Sequence, residues 1–214
     1  MNEQSHHIRS FIPWLAVSLL ILITHCTSAQ DRFWVGLSGG LQNTYLLSSG
    51  RSEIDAQNAF RPNLLLNFEF RFSPKIALQT GLGYSLYTQK TSKFNNNFHY
   101  LIIPLHIKTG RFRKERKIAL AYFVGVDFNY LLSAKNVYMD ERSNIVEYTK
   151  RLHTEPVLGL GIKKKINEQF LVETYITGKM GGVINNASND GFALINRNYG
   201  IMVSLTHIIP RSDK

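Results

Sequence analysis

Residues 63–72 read NLLLNFEFRF, and their spacing indicates a β-strand with two chemically different faces. Side chains on a strand alternate between its faces, so residues two positions apart share a face. The apolar face holds Leu64, Leu66, Phe68, Phe70 and Phe72. The opposite face holds Asn63, Asn67, Glu69 and Arg71, with Leu65 as its apolar member. One side of this strand is therefore predicted to meet an apolar environment, and the other to meet charged and hydrogen-bonding groups.

The same alternation recurs along the rest of the chain. Its longest example is an unbroken apolar row on the even-numbered residues of 118–132. Strands with one apolar face suit a membrane barrel, in which lipid-facing and lumen-facing side chains alternate. We therefore predict an all-β, eight-stranded antiparallel up-and-down transmembrane β-barrel. Its strands are predicted at residues 33–47, 63–72, 75–89, 99–109, 117–133, 151–163, 169–179 and 194–207.

The first 29 residues have the composition of a signal peptide. A mildly cationic start precedes a mostly apolar run at residues 11–23, and small residues lead to a cleavage site after Ala29. The apolar run is shorter than the about 20 residues that a membrane-spanning helix needs. We predict a signal peptide at residues 1–29, Sec-type export, and an outer membrane β-barrel domain at residues 30–214 in the cell outer membrane.

The predicted connections alternate between short and long, as expected for periplasmic turns and outer loops. The short ones are residues 73–74, 110–116 and 164–168, and the long ones are residues 48–61, 90–98, 134–150 and 180–193. The long polar connection at residues 134–150 is the strongest candidate for an external contact, because long loops on rigid scaffolds often carry function. Aromatic residues near strand ends are predicted at the membrane–water boundary. They include Phe33, Tyr45, Phe72, Tyr100, Tyr122 and Tyr130.

The formal net charge of the chain is +10 at pH 7, and much of the excess falls in two predicted basic periplasmic turns. One turn holds Arg111, Arg113, Lys114, Arg116 and Lys117, and the other holds Lys163, Lys164 and Lys165. No nucleic-acid-binding motif accompanies these residues, so nucleic acid is not an expected partner. The turns are interpreted as solvated, as contacts to anionic outer-membrane lipids, or as a docking site for a periplasmic or envelope protein.

The inward faces are rich in glycine and other small residues. Eight strands enclose an interior that side chains can fill, so no open solute pore is expected. Charges held away from water need partners, and a polar network in the lumen is therefore predicted. Its members are Glu69, Arg71, His106, Lys108, Asp127, His153, Glu155, Glu173 and Lys179. A gated polar path, in which the carboxylates exchange cationic partners, is the alternative for the same residues.

The sequence shows no motif for catalysis, a cofactor or a metal. The serines lack a nucleophile motif, and no histidine pair in the predicted mature chain has a distinctive ligand spacing. The sole cysteine, Cys26, lies in the predicted signal peptide, so thiolate ligands and disulfides are excluded from the mature chain. We therefore predict no enzymatic activity, cofactor or metal. The alternative is a small outer-membrane lipid-modifying enzyme that uses His106 and His153.

A soluble, secreted calyx of the lipocalin type is a further alternative. Such a protein uses similar strands, but its apolar face points inward around a ligand. The apolar row at residues 118–132 is too long for a solvated exterior, whereas the glycine, alanine and serine face suits a filled lumen. The barrel in a membrane is therefore the preferred interpretation.

Three segments resemble a Bacteroidetes outer-membrane barrel family that is often labelled PorT-like. The first is YLIIPL at residues 100–105, which is similar to the pattern Y-L-x-I-P-L in a strand of that family. The second combines YFVGV at residues 122–126 with YLLS at residues 130–133, and the third is FLVE at residues 170–173. The resemblance implies an outer-membrane location and membership of an envelope or secretion assembly. We predict a structural or binding role in the cell envelope.

Overall fold

The computed structural model describes residues 33–49, 59–90, 94–110, 117–138, 141–183 and 193–209. The predicted signal peptide at residues 1–29 lies outside the described residues. Almost all of the described chain is in strands. These are β1 Phe33–Ser49, β2 Ala59–Arg71, β3 Ile76–Lys90, β4 Phe94–Thr109, β5 Ile118–Tyr138, β6 Glu141–Asn144, β7 Leu152–Lys165, β8 Phe170–Val183 and β9 Ala193–Ile208.

The strands form a closed antiparallel barrel. Around the wall their order is β1-β2-β3-β4-β5-β7-β8-β9, and β9 pairs with β1 to complete the ring. The short strand β6 folds back on the far end of β5, so the wall itself has eight strands. The predicted eight-stranded antiparallel up-and-down barrel is confirmed. Among the described residues there is no helix of the length and apolar character needed to cross a bilayer.

The two ends of the barrel differ. The short-turn end is defined here as the end at which β2 leads to β3, β4 to β5, and β7 to β8. Phe33 at the start of β1 and Ile208 at the end of β9 also lie at this end. The long-loop end is the opposite one, at which β1 leads to β2, β3 to β4, β5 through β6 to β7, and β8 to β9.

The exterior of the barrel is apolar and its interior is polar or small. On β5, Leu120 and Val124 are 71% and 59% exposed, whereas Ala121 and Phe123 between them are 2% and 3% exposed. The same outward exposure of large apolar residues is found on all eight wall strands. A soluble calyx would have the opposite arrangement, so the calyx alternative does not fit this structure.

Two glycines of β7 allow close contacts, one with the adjacent strand and one with a side chain in the lumen. A Cβ atom added to Gly161 would lie 1.9 Å from the backbone oxygen of Thr174 on β8. A Cβ atom added to Gly159 would lie 2.1 Å from the ring of Phe123, which occupies this part of the lumen. The small inward residues predicted from the sequence therefore make room for neighbouring strands and for large side chains from other strands.

The described part of the segment at residues 134–150 is mostly folded onto the barrel, and its prediction as a long polar loop is wrong. β5 continues to Tyr138 and pairs there with both β4 and β6. After β6, the 3₁₀ helix Val146–Tyr148 returns the chain to β7. The physical reason is that Ile145 and Val146 are apolar and pack against a buried cluster at the long-loop end.

Candidate functional site

The strand register turns all nine predicted lumen residues towards the interior, where they form two charged groups. The first group lies near the short-turn end and contains Glu69, Arg71, Lys108 and Glu173. Lys108 Nζ lies 2.8 Å from Glu69 Oε2 and 2.5 Å from Glu173 Oε2. Arg71 Nη1 lies 3.0 Å from the other oxygen of Glu69. Each carboxylate in this group therefore has at least one cationic partner.

Aromatic side chains complete the first group. The guanidinium carbon of Arg71 lies 4.2 Å from the ring centroid of Trp34, a favourable cation–π geometry. The hydroxyl of Tyr175 donates a hydrogen bond of 3.0 Å to Glu173 Oε1. The carboxylates thus have donors on both oxygens, which is what a buried charge requires.

Lys163 also belongs to the interior, and its prediction in a basic turn is wrong. β7 continues to Lys165, so residues 163–165 are the end of a strand. Lys163 is buried opposite Glu173 of β8 and donates a hydrogen bond to the backbone oxygen of Gly110. The alternation of β7 places Lys163 inside, because Ile162 and Lys164 on either side are exposed.

Three of the other predicted basic residues lie at the short-turn end. Lys117 and Lys164 are exposed there, and Lys165 lies 3.8 Å from Glu168 in an exposed ion pair. The remaining members of the first predicted turn, Arg111, Arg113, Lys114 and Arg116, lie outside the described residues. In the described part of the chain, the short-turn end therefore combines a charged interior with a basic rim.

The second charged group lies nearer the middle of the barrel. Lys179 Nζ is 2.7 Å from Asp127 Oδ2, and His106 Nε2 is 2.7 Å from Asp127 Oδ1. The carboxylate of Asp127 thus joins β4, β5 and β8. Its burial is compensated by one ammonium and one imidazole.

Glu155 and His153 extend the second group towards the long-loop end. Glu155 Oε2 accepts a hydrogen bond of 2.7 Å from the hydroxyl of Tyr87, and Glu155 Oε1 lies 3.3 Å from His153 Nε2. The ring of Tyr100 meets the ring of His153 edge-on, with centroids 4.8 Å apart. Tyr100 is fully buried, so its predicted place at the membrane–water boundary is wrong.

An aromatic layer separates the two charged groups. His106 stacks on Phe123 with centroids 4.8 Å apart, and Phe123 meets Tyr175 edge-on at 5.1 Å. Phe123 and Tyr175 pack with Ala121, Val157 and Met202 in one buried cluster. The polar network predicted for the lumen from the sequence did not include this aromatic layer. The signal for Phe123 was its position on the inward face of the fifth predicted strand, between Ala121 and Gly125.

Among the described residues, the two charged groups together with Lys163 hold equal numbers of cations and carboxylates. The cations are Arg71, Lys108, Lys163 and Lys179, and the carboxylates are Glu69, Asp127, Glu155 and Glu173. Arg61, partly buried on the inward face of β2 near the long-loop end, lies outside these groups and donates a hydrogen bond to Thr88 Oγ1. An uncompensated charge in such an interior is costly, so this balance favours a structural filling. The arrangement can tie the strands together across the lumen, which backbone hydrogen bonds between neighbouring strands do not do.

The interior holds a small cavity beside the second group. Its volume is about 30 Å³, and His106, Asp127, Thr177 and Lys179 are among its lining residues. A space of this size has room for one or two water molecules. Among the described residues His106 Nδ1 has no hydrogen-bond partner, and a water molecule in this cavity could supply one.

A buried apolar cluster fills the lumen at the long-loop end. Its members are Tyr87, Phe98, Tyr100, Ile102, Leu131 and Ala134. Ile145 and Val146 pack against the cluster from the segment that follows β6, and the amide of Ile145 donates to the backbone oxygen of Ala134 at 3.1 Å. From the short-turn end to the long-loop end, the interior is thus filled by a charged layer, an aromatic layer, a second charged layer and an apolar layer.

No family model matches this sequence, and the comparison with curated proteins finds no match. Solved structures with the same fold are nonetheless found. The Neisserial surface protein A, NspA, is 10% identical, with a TM-score of 0.56 over 82% of this chain and 96% of that chain. OprG from Pseudomonas aeruginosa is 14% identical, with a TM-score of 0.48 over 82% and 96%. At this identity the likeness to NspA shows the fold, which is that of an outer-membrane β-barrel.

The prediction that the chain is not an enzyme needs correction. The outer membrane protease OmpT from Escherichia coli is among the similar structures, with 7% identity and a TM-score of 0.40 over 84% of this chain and 97% of that chain. The lack of a recognisable motif was insufficient ground for that prediction. The likeness itself assigns no activity to this chain.

Metal ligation has no candidate among the side chains that the structure describes. Within those ranges, no three His, Cys, Asp or Glu residues come together in a group that could hold an ion. The two histidines of the lumen each pair with a single carboxylate. The expectation of no metal or cofactor stays a prediction.

Proposed function

We propose that this protein spans the outer membrane as a barrel without an open solute pore, and that it has a structural or binding role in the cell envelope. Residues 1–29 would direct Sec-type export, and residues 30–214 would form the barrel domain. The short-turn end, which carries both termini of the described barrel, would face the periplasm. The long-loop end would face the outside of the cell.

The exposed apolar band is the observation that carries this proposal. The outward row of β5 runs from Ile118 to Leu132, and each of its large side chains would contact solvent if the protein were in water. Fourteen residue steps span roughly 46 Å along a strand, or roughly 33 Å along the membrane normal at a tilt of about 45°. This height is close to the about 30 Å of a bilayer's hydrocarbon core. Lipid chains are therefore the environment that these side chains fit.

The filled interior supports the absence of a solute pore. Two charged groups, the Phe123 layer and the apolar cluster under Ile145 occupy successive levels of the lumen. The cavity of about 30 Å³ beside Asp127 is small enough to retain water without passing solutes. In a barrel of this kind, the wall, loops and rims are the surfaces that can bind partners, and the filled lumen stabilises the fold.

Membership of an envelope or secretion assembly is the finer part of the proposal. It is supported by the resemblance of residues 100–105 to the PorT-like pattern. It is also supported by the exposed basic residues of the short-turn end, which are available to outer-membrane lipids or to a periplasmic protein. In the organism that carries this gene, deletion should impair the export or surface assembly of other envelope proteins. Normal export in the deletion strain would remove this part of the proposal and leave the barrel itself untouched.

Fractionation tests the membrane assignment. The full chain should be processed, should co-sediment with outer membranes, and should stay there after an alkaline carbonate wash that removes peripheral proteins. The mature chain should require detergent or lipid to remain folded and monomeric. A mature chain that is folded and monomeric in plain buffer would show that the apolar band is not a lipid-facing surface.

A further inference from the structure

A groove, called the wall groove here, crosses the outer face of the barrel where β8, β9, β1 and β2 lie side by side. Its volume is about 730 Å³, which falls in the range of about 300–1,000 Å³ that is usual for small-molecule sites. Outward side chains of Leu41, Phe60, Ile176 and Tyr199 are among those that line it. The described lining includes no charged residue, so the groove is an apolar depression in the lipid-facing surface.

Gly39 keeps the wall groove open, and the wall itself does not require a glycine there. It is an outward position of β1, with Leu64 and Val203 as its register partners. An added Cβ atom would meet its nearest neighbours at 3.9 Å, and the backbone φ is not positive. At Gly200, which also lines the groove, an added Cβ atom would lie 2.4 Å from the backbone oxygen of Leu41. Close strand approach thus explains Gly200, whereas the space above Gly39 is left for something outside the described chain.

A polar pair lies at the end of the wall groove that is nearer the long-loop end. Asn43 is on the outward side of β1, between its register partners Phe60 and Tyr199. It is 2% exposed, its Nδ2 donates a hydrogen bond of 2.6 Å to the hydroxyl oxygen of Tyr199, and its Oδ1 has no partner among the described residues. A polar group on a lipid-facing surface is costly unless its hydrogen bonds are made. The pair therefore leaves one acceptor, the carboxamide oxygen, and one donor, the phenolic hydrogen, for an occupant.

The shape and chemistry of the wall groove fit one apolar chain that carries a small uncharged head. The four residue steps from Tyr199 to Val203 span roughly 13 Å along β9, and the register neighbours of Ile201 over this length are Leu41 and Ile176. Because the described lining lacks a cation, it offers no partner for a phosphate. A head with hydroxyl or carbonyl oxygens would match the polar pair instead.

We propose that the wall groove is a binding site for an uncharged single-chain amphiphile, whose chain lies over Gly39 and whose head accepts a hydrogen bond from the Tyr199 hydroxyl. This inference rests on the proposed outer-membrane location, because the groove opens towards hydrocarbon. A discrete site of this kind differs from general contact with lipid in two ways. It saturates at one ligand per barrel, and it depends on the empty space at one residue.

The test uses a photoreactive monoacylglycerol that carries a diazirine in its chain. The wild-type barrel and three variants are extracted from outer membranes in mild non-ionic detergent, labelled, and digested so that the labelled peptides are located by mass spectrometry. Gly39→Leu fills the groove, Tyr199→Phe removes the hydroxyl, and Val124→Leu adds bulk to the outer face of β5 as the matched control. Heat-dependent mobility on a gel checks that each barrel is folded.

Wild-type labelling should saturate at one probe per barrel, fall on peptides of β1 and β9, and be displaced by unlabelled monoacylglycerol. Gly39→Leu should reduce it several-fold at subsaturating probe, whereas Val124→Leu should leave it unchanged. Tyr199→Phe should remove the preference for this probe over a diazirine alkane without a head. Labelling that spreads around the wall without saturation, or that Gly39→Leu leaves intact, would overturn the inference. If Gly39→Leu does not fold, Val203→Phe fills the same groove from β9 and carries the same expectation.

Competition separates this ligand from other occupants. Phosphatidylglycerol should displace the probe less well than monoacylglycerol, and equal displacement would overturn recognition of an uncharged head. A wild-type dimer in mild detergent that Gly39→Leu disperses would assign the groove to a second copy of the chain and would also overturn the inference. A chain that is absent from the outer membrane contradicts the proposed function. A barrel that is present there without saturable labelling contradicts only this inference.

Discussion

Lys108 and Glu173 are joined across the lumen, with Lys108 Nζ 2.5 Å from Glu173 Oε2. Lys108 belongs to β4 and Glu173 to β8, and β5 and β7 separate these strands in the wall. The pair therefore connects strands that share no backbone hydrogen bonds. Because Lys108 also contacts Glu69 on β2, one ammonium group holds three parts of the wall at a fixed separation.

Replacing Lys108 with methionine should destabilise the barrel, because two buried carboxylates would lose a shared cation. Removing one partner of a buried ion pair typically costs about 3–5 kcal/mol. The free energy of unfolding in urea, measured for the barrel refolded in lipid vesicles, checks this value. The double variant K108M/E173Q should recover part of the loss, and the exposed Lys164→Met should change little. A K108M barrel as stable as the wild type would show that the charged group is dispensable.

Alanine at Gly161 should be poorly tolerated, because the added Cβ atom would lie 1.9 Å from a backbone oxygen of the adjacent strand. Overpacking of this kind costs roughly 1–3 kcal/mol or more, since the strands themselves must move. Gly178→Ala is the matched control, because a Cβ atom there would have no neighbour within 4 Å. The measurement is the midpoint of urea unfolding for each variant. Equal midpoints for the two variants would contradict the close approach of β7 and β8.

Arginine at Val124 should destabilise the inserted barrel by about 2–4 kcal/mol, because this outward position lies near the middle of the apolar band. Leu132→Arg, near the long-loop edge of the band, should cost only about 0–1 kcal/mol. Unfolding free energies in lipid vesicles measure the depth dependence. If both arginines are equally harmless, the outer face of β5 does not meet hydrocarbon.

Aspartate at Ile145 should release the segment that packs on the apolar cluster at the long-loop end. A carboxylate cannot remain against Tyr87, Phe98 and Leu131 without a partner, so the segment after β6 should open more often. Limited trypsin digestion reports this opening as faster cleavage after Arg142 or Lys150, because cleavage follows the population of the open form. The exposed Ser143→Asp is the control and should be cleaved at the wild-type rate.

The same Ile145→Asp variant should leave the barrel closed to ions. The charged groups around Lys108 and Asp127 and the Phe123 layer fill the lumen below the cluster, independently of the segment after β6. Planar-bilayer recordings should show no steady conductance for the wild type or the variant, with a general porin as the positive control. A stable conductance in the wild type would contradict a filled lumen.

Much of the architecture could be predicted from local spacing. The period of two in residues 63–72 identifies a strand and its two faces, and its repetition yields the eight-stranded wall and the outward apolar band. The inward charged residues followed from the same parity, because a side chain's face depends only on its position along its own strand. Lys163 and Tyr100 obey this parity too. They were misplaced because residue 163 was assigned to a turn and residue 100 to the membrane boundary.

The sequence by itself therefore determined the eight wall strands apart from several of their ends, which side of each strand is apolar, and the inward position of nine ionisable side chains. Only the tertiary structure decided which charges meet, how the lumen is layered, and that Ile145 closes onto the long-loop end. Lys108 and Glu173 are 65 residues apart, and their contact depends on the register of every strand between them around a closed ring. Register and shear are properties of the whole barrel, because each strand is set by both neighbours. Register and shear therefore cannot be predicted from the local periodicity of the sequence.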